Sequence, residues 1–176
     1  MEWQTLDSDV TYSCDGFDVI TEQVELPTGT RTDFDYLSED ESVVILPFTA
    51  AGDVVVIDEW RHAVRRVNRG LPAGTLEPGE QPDDAVEREL REETGYDAGS
   101  FQYLTTVEPA NGFSNAVFHY YVAHDCEHAG EQELDHNETI RPTTTSFEAL
   151  VETAREGEFR DGRSAFGVLY YLAFER

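Results

Sequence analysis

The stretch from Gly74 to Tyr96, GTLEPGEQPDDAVERELREETGY, reads as one helix between two loops. Asp83 or Asp84 is placed to cap the helix, and Asp84 with Glu87 has capping-box spacing. Gly95 stands where a left-handed glycine ends a helix. At about 100° per residue, Glu89, Glu92 and Glu93 fall on one arc. Val86 and Leu90 lie beside that arc and face a core. Glu87 and Arg91 lie opposite, at the i,i+4 spacing of an exposed ion pair. Glu89 and Glu93 are like charges four residues apart, which costs helix stability. A hard divalent cation removes that cost, because Mg²⁺ takes oxygen ligands and keeps several waters, leaving room for a phosphate. A merely solvated acidic face is the alternative that three carboxylates alone leave open.

Composition narrows the setting. The chain of 176 residues is long enough for one well-buried domain with a small extension. No run of 18 apolar residues marks a transmembrane helix, and the N-terminus MEWQTLDSDV lacks a signal-peptide layout. Cys14 and Cys126 fit no metal or redox spacing and read as free thiols of a reducing cytoplasm. Asp and Glu number 37 against 12 Lys and Arg, a net charge of −25, and every one of those basic residues is arginine. We read this as adaptation to a cytoplasm of molar salt, where the Debye length falls to about 3 Å and a dense acidic surface no longer repels itself severely. So acidic a surface argues against nucleic acid or an anionic membrane as partner.

Residues 1–41 look like a β-rich extension. Asp18–Leu26 alternates in part with period two, Pro27–Thr30 has turn chemistry, and Arg31–Leu37 can return as a second strand. A hairpin of this kind is marginal alone and must pack on the main domain or on a second subunit. Val43–Phe48 and Val54–Trp60 are continuous apolar runs, which predicts strands buried on both faces. Arg61–Arg69 packs four arginines into nine residues just before the helix. Forked guanidinium groups suit a diphosphate; ion pairing with the many surface acids is the alternative. Phe101–Glu108 and Val117–His124 read as strands, with a loop at Pro109–Asn115 between them. His119 and His124 have no zinc-like spacing. Glu127–Arg141 is polar and aperiodic, a mobile loop of lid-like length. Thr145 with Glu148 forms another capping box, Phe147, Leu150, Val151 and Ala154 mark a helix, and Gly157 stops it. A last helix runs from about Arg163 to Phe174.

The pattern Gly74, Glu80, Arg88-Glu89-Leu90, Glu92-Glu93, Gly95, Tyr96 matches the Nudix box at every fixed position, with Tyr96 where an aliphatic residue is commoner. The likeness extends beyond the box. Leu-Pro-Thr-Gly at 26–29, Trp-Arg-His at 60–62, Leu-Pro-Ala-Gly at 71–74, Pro-Ala-Asn-Gly-Phe-Ser at 109–114 and Glu-Gly-Glu-Phe at 156–159 together resemble the ADP-ribose pyrophosphatase branch of Nudix hydrolases. The resemblance implies an α/β/α sandwich around a mixed β-sheet, residues 42–176, with the N-terminal extension 1–41. It implies a homodimer in which the extension meets its partner and helps bind one end of the substrate. The implied chemistry is Mg²⁺-dependent hydrolysis, with Mn²⁺ as the alternative ion, of a nucleoside diphosphate linked to another group.

Residue by residue, Glu89 and Glu93 match the principal metal ligands and Glu92 the third carboxylate. The carbonyl of Ala73 or Gly74 completes the set. Glu80 and Arg88 match the pair that braces the loop against the helix, and Gly74 and Gly95 the glycines that frame it. In this branch a glutamate of the late acidic loop often orients or deprotonates the attacking water. Glu138 is the first choice here, with Glu133 and Glu131 as alternatives. Arg61, Arg66 and Phe113 are the substrate-binding candidates. Two positions depart from the branch: Gly70 and Ala116 stand where many relatives carry Glu. ADP-ribose, cleaved to AMP and ribose 5-phosphate, is the leading substrate. Another nucleotide sugar, a dinucleotide or a nucleoside triphosphate keeps the mechanism, and a non-catalytic sensing module is the remaining reading.

Overall fold

A computed structural model describes residues 1–176. The chain runs β1 (Gln4–Cys14), β2 (Phe17–Glu25), β3 (Arg31–Ser38), β4 (Ser42–Thr49), β5 (Asp53–Arg61), β6 (Arg66–Gly70), β7 (Ala73–Thr75), α1 (Pro82–Thr94), β8 (Tyr96–Asp97), β9 (Ser100–Val107), β10 (Phe118–His128), β11 (Ile140–Ser146), α2 (Phe147–Arg155) and α3 (Gly162–Phe174). By contacts it divides into two units. One is Met1–Glu41 with Val107–Val117; the other is Ser42–Thr106 with Phe118–Arg176.

The larger unit is built on an eight-stranded sheet with the path β11-β5-β4-β10-β8, to which β6, β7 and β9 add on β5, β4 and β10. It is mixed: β10 runs parallel to β4, while β5, β7, β8 and β11 join antiparallel. The apolar runs of β4 and β5 have no polar alternation because both faces of the sheet are covered. Val43 and Ile45 of β4, with Tyr121, Ala123 and Cys126 of β10, meet Ala85, Val86 and Leu90 of α1. The alternate positions turn the other way. There Phe48 stacks on Phe147 of α2 and Tyr171 of α3, and Tyr120 lies 5.0 Å from Phe166 of α3. Helices on both faces of a mixed sheet make the α/β/α sandwich.

The smaller unit is a three-stranded antiparallel sheet, β1-β2-β3. The β2–β3 hairpin closes through Gly29, whose φ of 81° suits its turn. Strand β1 was not foreseen. It is exposed along its whole length and its pairing with β2 shifts register at Leu6 and Thr11, so no clean apolar alternation marks it. The loop after β9 returns to this unit: Leu37 N–H donates to Phe113 O, and Ser114 Oγ donates to Glu39 at 2.5 Å.

Other local expectations also shift. Helix α1 is entered at Gln81 with Pro82 in its first turn, and no side chain caps it. Proline's fixed φ sets that start, and Asp83 instead accepts from Tyr121 Oη at 2.7 Å. Arg91 pairs with Asp97 through two short bonds, at 2.7 and 2.5 Å, rather than with Glu87. In α2 it is Ser146, not Thr145, whose hydroxyl accepts the capping N–H, that of Ala149. The polar stretch 127–141 is not all loop. Strand β10 continues to His128, and β11 begins at Ile140 and pairs along its whole length with Asp53–Glu59 of β5. Its Arg-Pro-Thr-Thr-Thr sequence hides a strand because only the β5 side needs pairing and Pro142 is tolerated at an edge. No helix is long and apolar enough to cross a membrane.

Candidate active site

Helix α1 carries its carboxylates on the flank of its apolar stripe, so folding buries them with it. Glu89 is 8% exposed and Glu93 4%. Burial pushes the Glu89 carboxyl up to about 7, opposed by the charge of Arg88 and reinforced by Glu92 and Glu138. Burial likewise pushes Glu93 up to about 8. The N–H of Ala73, 2.9 Å from its Oε2, opposes this, while Glu89, Glu138 and Glu59 add to it. Two buried acids that resist ionisation side by side make a site short of positive charge.

Arg88 is the cation already present. Its Nε and Nη2 donate to both oxygens of Glu80 at 2.9 and 2.7 Å. Nη1 donates to Glu89 at 2.7 Å and Glu92 at 2.9 Å, and Nη2 also reaches Thr75 O at 3.1 Å. Its forked donors are thereby committed to the loop, the helix and β7. The pairing holds the Glu80 carboxyl down to about 2. With Arg88 as bridge, no three acidic side chains close into a ready cage for a cation.

Two glycines are dictated by space. A Cβ on Gly74 would stand 2.0 Å from the Glu89 carboxylate. Gly95 has φ 73° at the end of α1, and a Cβ there would meet Gly130 O at 2.4 Å. Gly130 belongs to the acidic loop, whose first half is fastened. Ala129 N and Gly130 N donate to Gly95 O, Glu133 N to Glu92 O, and Gln132 Nε2 to Glu93 O. The loop thus satisfies carbonyls that the end of α1 leaves open. The expectation of a wholly mobile loop is corrected for this half.

These pieces surround a cleft of about 390 Å³ lined by Ala73, Gly74, Glu89, Glu92 and Glu93, by Glu133, Asp135 and Glu138 of the acidic loop, and by Arg61, Arg88 and Arg163. Glu138 accepts from Asp135 N at 3.1 Å. Glu131 is exposed and does not line the cleft. Of the four arginines at 61–69, only Arg61 does. The run folds into a hairpin between β5 and β6 that pairs Arg61 with Arg66 and Asp58 with Arg69. Arg69 is bound to Asp58 at 3.0 and 3.2 Å, and Arg66 donates to Asn68 at 2.7 Å. Phe113 is 59% exposed and belongs to the smaller unit, as does buried Ala116. Gly70 is buried, with Asp161 Oδ2 and Ser164 Oγ each 3.1 Å from where its Cβ would be.

Sequence reasoning missed Glu59, Asp135 and Arg163. Glu59 sits in an apolar strand run, where its burial against Arg61 at 2.8 Å has no sequence signature. Arg163 is brought in from the far end of the chain by the packing of α3, which no local pattern reports.

The NUDIX domain model matches residues 39–163, and the chain belongs to the Nudix family. Within it, the chain is a hydrolase resembling the ADP-ribose pyrophosphatases. It is 28% identical over 171 residues to the ADP-ribose pyrophosphatase of Bacillus subtilis (strain 168), covering 97% of this chain and 92% of that one. It is 29% identical over 172 residues to the enzyme of that name from Mycobacterium tuberculosis, covering 96% and 82%. Over a shorter span, 57% of this chain and 52% of the other, it is 31% identical to a GDP-mannose pyrophosphatase of Salmonella typhi. A crystal structure of an ADP compounds hydrolase superposes with a TM-score of 0.87 at 19% identity, covering 99% of this chain and 94% of that one, which shows the shared fold.

Proposed function

We propose that the protein hydrolyses the diphosphate bond of a nucleoside diphosphate linked to another group, with ADP-ribose, giving AMP and ribose 5-phosphate, as the leading substrate. The observation that carries this is the meeting of Glu89, Glu92, Glu93, Glu138 and Arg61 around one cleft. The donor set suits a hard divalent cation. It offers only oxygens, and the raised Glu89 and Glu93 carboxyls mark a deficit of positive charge. Glu89, Glu92, Glu93 and the carbonyl of Ala73 would hold Mg²⁺ or Mn²⁺, which when bound neutralises charge on the attacked diphosphate.

The chain's own residues do the rest. Arg88 and Glu80 hold the loop at β7 against α1, so that the carboxylates keep their places. Arg61, oriented by Glu59, takes a phosphate oxygen of the substrate. Glu138 accepts the proton of the attacking water. It is preferred over Glu133 because its charge acts on Glu59, Glu89 and Glu93 together. The similarity to ADP-ribose pyrophosphatases over nearly all of this chain supports the leading substrate. The shorter match to GDP-mannose pyrophosphatases favours another nucleotide sugar as the second reading.

We also propose a halophilic, cytoplasmic setting, from the net charge of −25 without lysine, and a homodimer. Exposed Val10, Tyr12 and Phe34 on the β1–β3 sheet, with Trp3 just before β1 against Phe34, support the dimer, which sedimentation in high KCl would test. The assay that tests the chemistry offers ADP-ribose, GDP-mannose, NADH and a nucleoside triphosphate side by side, with Mg²⁺ and molar KCl. Preferred release of AMP from ADP-ribose is expected. Exclusive cleavage of the triphosphate would overturn the diphosphate-linked reading.

A further inference from the structure

Three arginines line the cleft, and they are not equivalent. Arg88 is consumed by Glu80, Glu89, Glu92 and Thr75 O. Arg61 is held by one carboxylate, Glu59. Arg163 is held more loosely. Its ion-pair partner is Asp161, with Nε 3.7 Å from Oδ1, beyond hydrogen-bond reach. Its guanidinium carbon lies 5.7 Å from the centre of the Phe118 ring, which supports the plane without using its N–H donors.

The setting is also unfavourable for a purely structural arginine. Arg163 stands in the first turn of α3, where the helix dipole opposes a cation and no acidic residue shares the turn. Asp161, at the N-cap, does not cap the helix with its side chain. Instead its carboxylate accepts from Ser164 Oγ at 2.5 Å, and the same hydroxyl accepts Leu71 N–H at 2.7 Å. This relay pins the start of α3 to the segment that leads into β7 and the cleft. The backbone under Arg163 is therefore rigid while its donors are left open.

We propose that Arg163 is a substrate-binding residue that works with Arg61, the two guanidinium groups gripping the anionic diphosphate from β5 and α3 while α1 supplies the acids. The inference rests on the diphosphohydrolase reading above. Buried Glu59 is the common counter-charge, since both Arg61 and Arg163 act on its carboxyl. An anionic substrate supplies the donors of Arg163 with the acceptors they lack.

The test uses the full-length protein in molar KCl. ADP-ribose affinity is measured by titration calorimetry without divalent ions, and KM and kcat are measured with Mg²⁺, for wild type, Arg163→Ala and Arg163→Lys. Arg163→Ala is expected to weaken ADP-ribose binding and raise KM about 10- to 100-fold, the range for a charged hydrogen bond. Its circular dichroism should be unchanged, kcat should fall less than KM rises, and Arg163→Lys should recover part of the loss. Wild-type affinity and KM in Arg163→Ala would overturn the assignment and leave the diphosphohydrolase reading standing. A loss confined to kcat, or one tracking loss of fold in both variants, would also overturn it. Failure of the wild type to bind or cleave ADP-ribose would overturn the leading substrate, and this inference with it.

Discussion

Helices α1 and α3 are each 13 residues long and cover opposite faces of one sheet, yet they divide their labour differently. α1 buries charge: Glu89 and Glu93 go inward with Ala85, Val86 and Leu90. α3 leaves apolar surface outside, with Leu169 at 47% and Phe174 at 72% exposure, and buries Ser164, Gly167 and Val168. In α1 the hydrophobic stripe drags carboxylates into a region where they are hard to ionise, which is poor for stability and useful for holding a cation. In α3 the small residue at Gly167 lets the helix approach Tyr120, whose ring would be 3.1 Å from an added Cβ. That close approach delivers Arg163 to the cleft. One helix is specified by what its own sequence displays, the other by what it packs against.

The comparison can be broken in several places. Glu93→Gln should reduce turnover by about 10²- to 10³-fold or more while the fold survives, because the amide oxygen can still accept Ala73 N–H. Steady-state assays paired with circular dichroism would show it, and retained activity would sink the metal assignment. Leu90→Ala, at a fully buried position of α1, should cost about 2–5 kcal/mol in denaturant unfolding.

Stability against pH gives a third measurement. Glu89 and Glu93 have folded carboxyls raised to about 7 and 8, above the ordinary value near 4.5 of an unperturbed glutamate. Between those values the folded state binds more protons than the unfolded one, so stability falls as pH rises from about 4.5 to about 8. The metal-free protein should therefore melt several degrees lower at pH 8.5 than at pH 6, and Mg²⁺ should restore more at the higher pH. Glu93→Gln should flatten the profile. An unaltered slope in that variant would show that the general acidic surface, rather than this pair, sets it. The smallest effect belongs to α3: Leu169→Ala should change stability by no more than about 0.5 kcal/mol, and a larger loss would mean that its exposed face is covered in solution.

Much of α1 was legible because its information is local. The 3.6-residue period placed Glu89, Glu92 and Glu93 together, and Gly95 announced the stop, which its φ of 73° bears out. Strands β4 and β5 were equally plain, since burial on both faces leaves an unbroken apolar run. The start of α1 was misplaced because Asp83 and Asp84 look like caps, whereas Pro82 sets the first turn and Asp83 is taken by Tyr121. Strand β11 was hidden because threonines around a proline acquire a partner only when β5 is beside them.

The sequence by itself determined helix α1, the apolar strands β4 and β5 and the common arc of Glu89, Glu92 and Glu93, because helix period, apolar runs and glycine conformation act over a few residues; the sandwich and the roles of the box acids followed only from the resemblance to the Nudix family. Tertiary structure alone decided which arginine of the basic run faces the cleft, since cross-strand register gives Arg69 to Asp58 and leaves Arg61 at the rim. It also fastened half of the acidic loop to the carbonyls at the end of α1 and carried Arg163 to the same cleft. Those are contacts between residues far apart in the chain, and their energies depend on burial and distance, which no local pattern encodes.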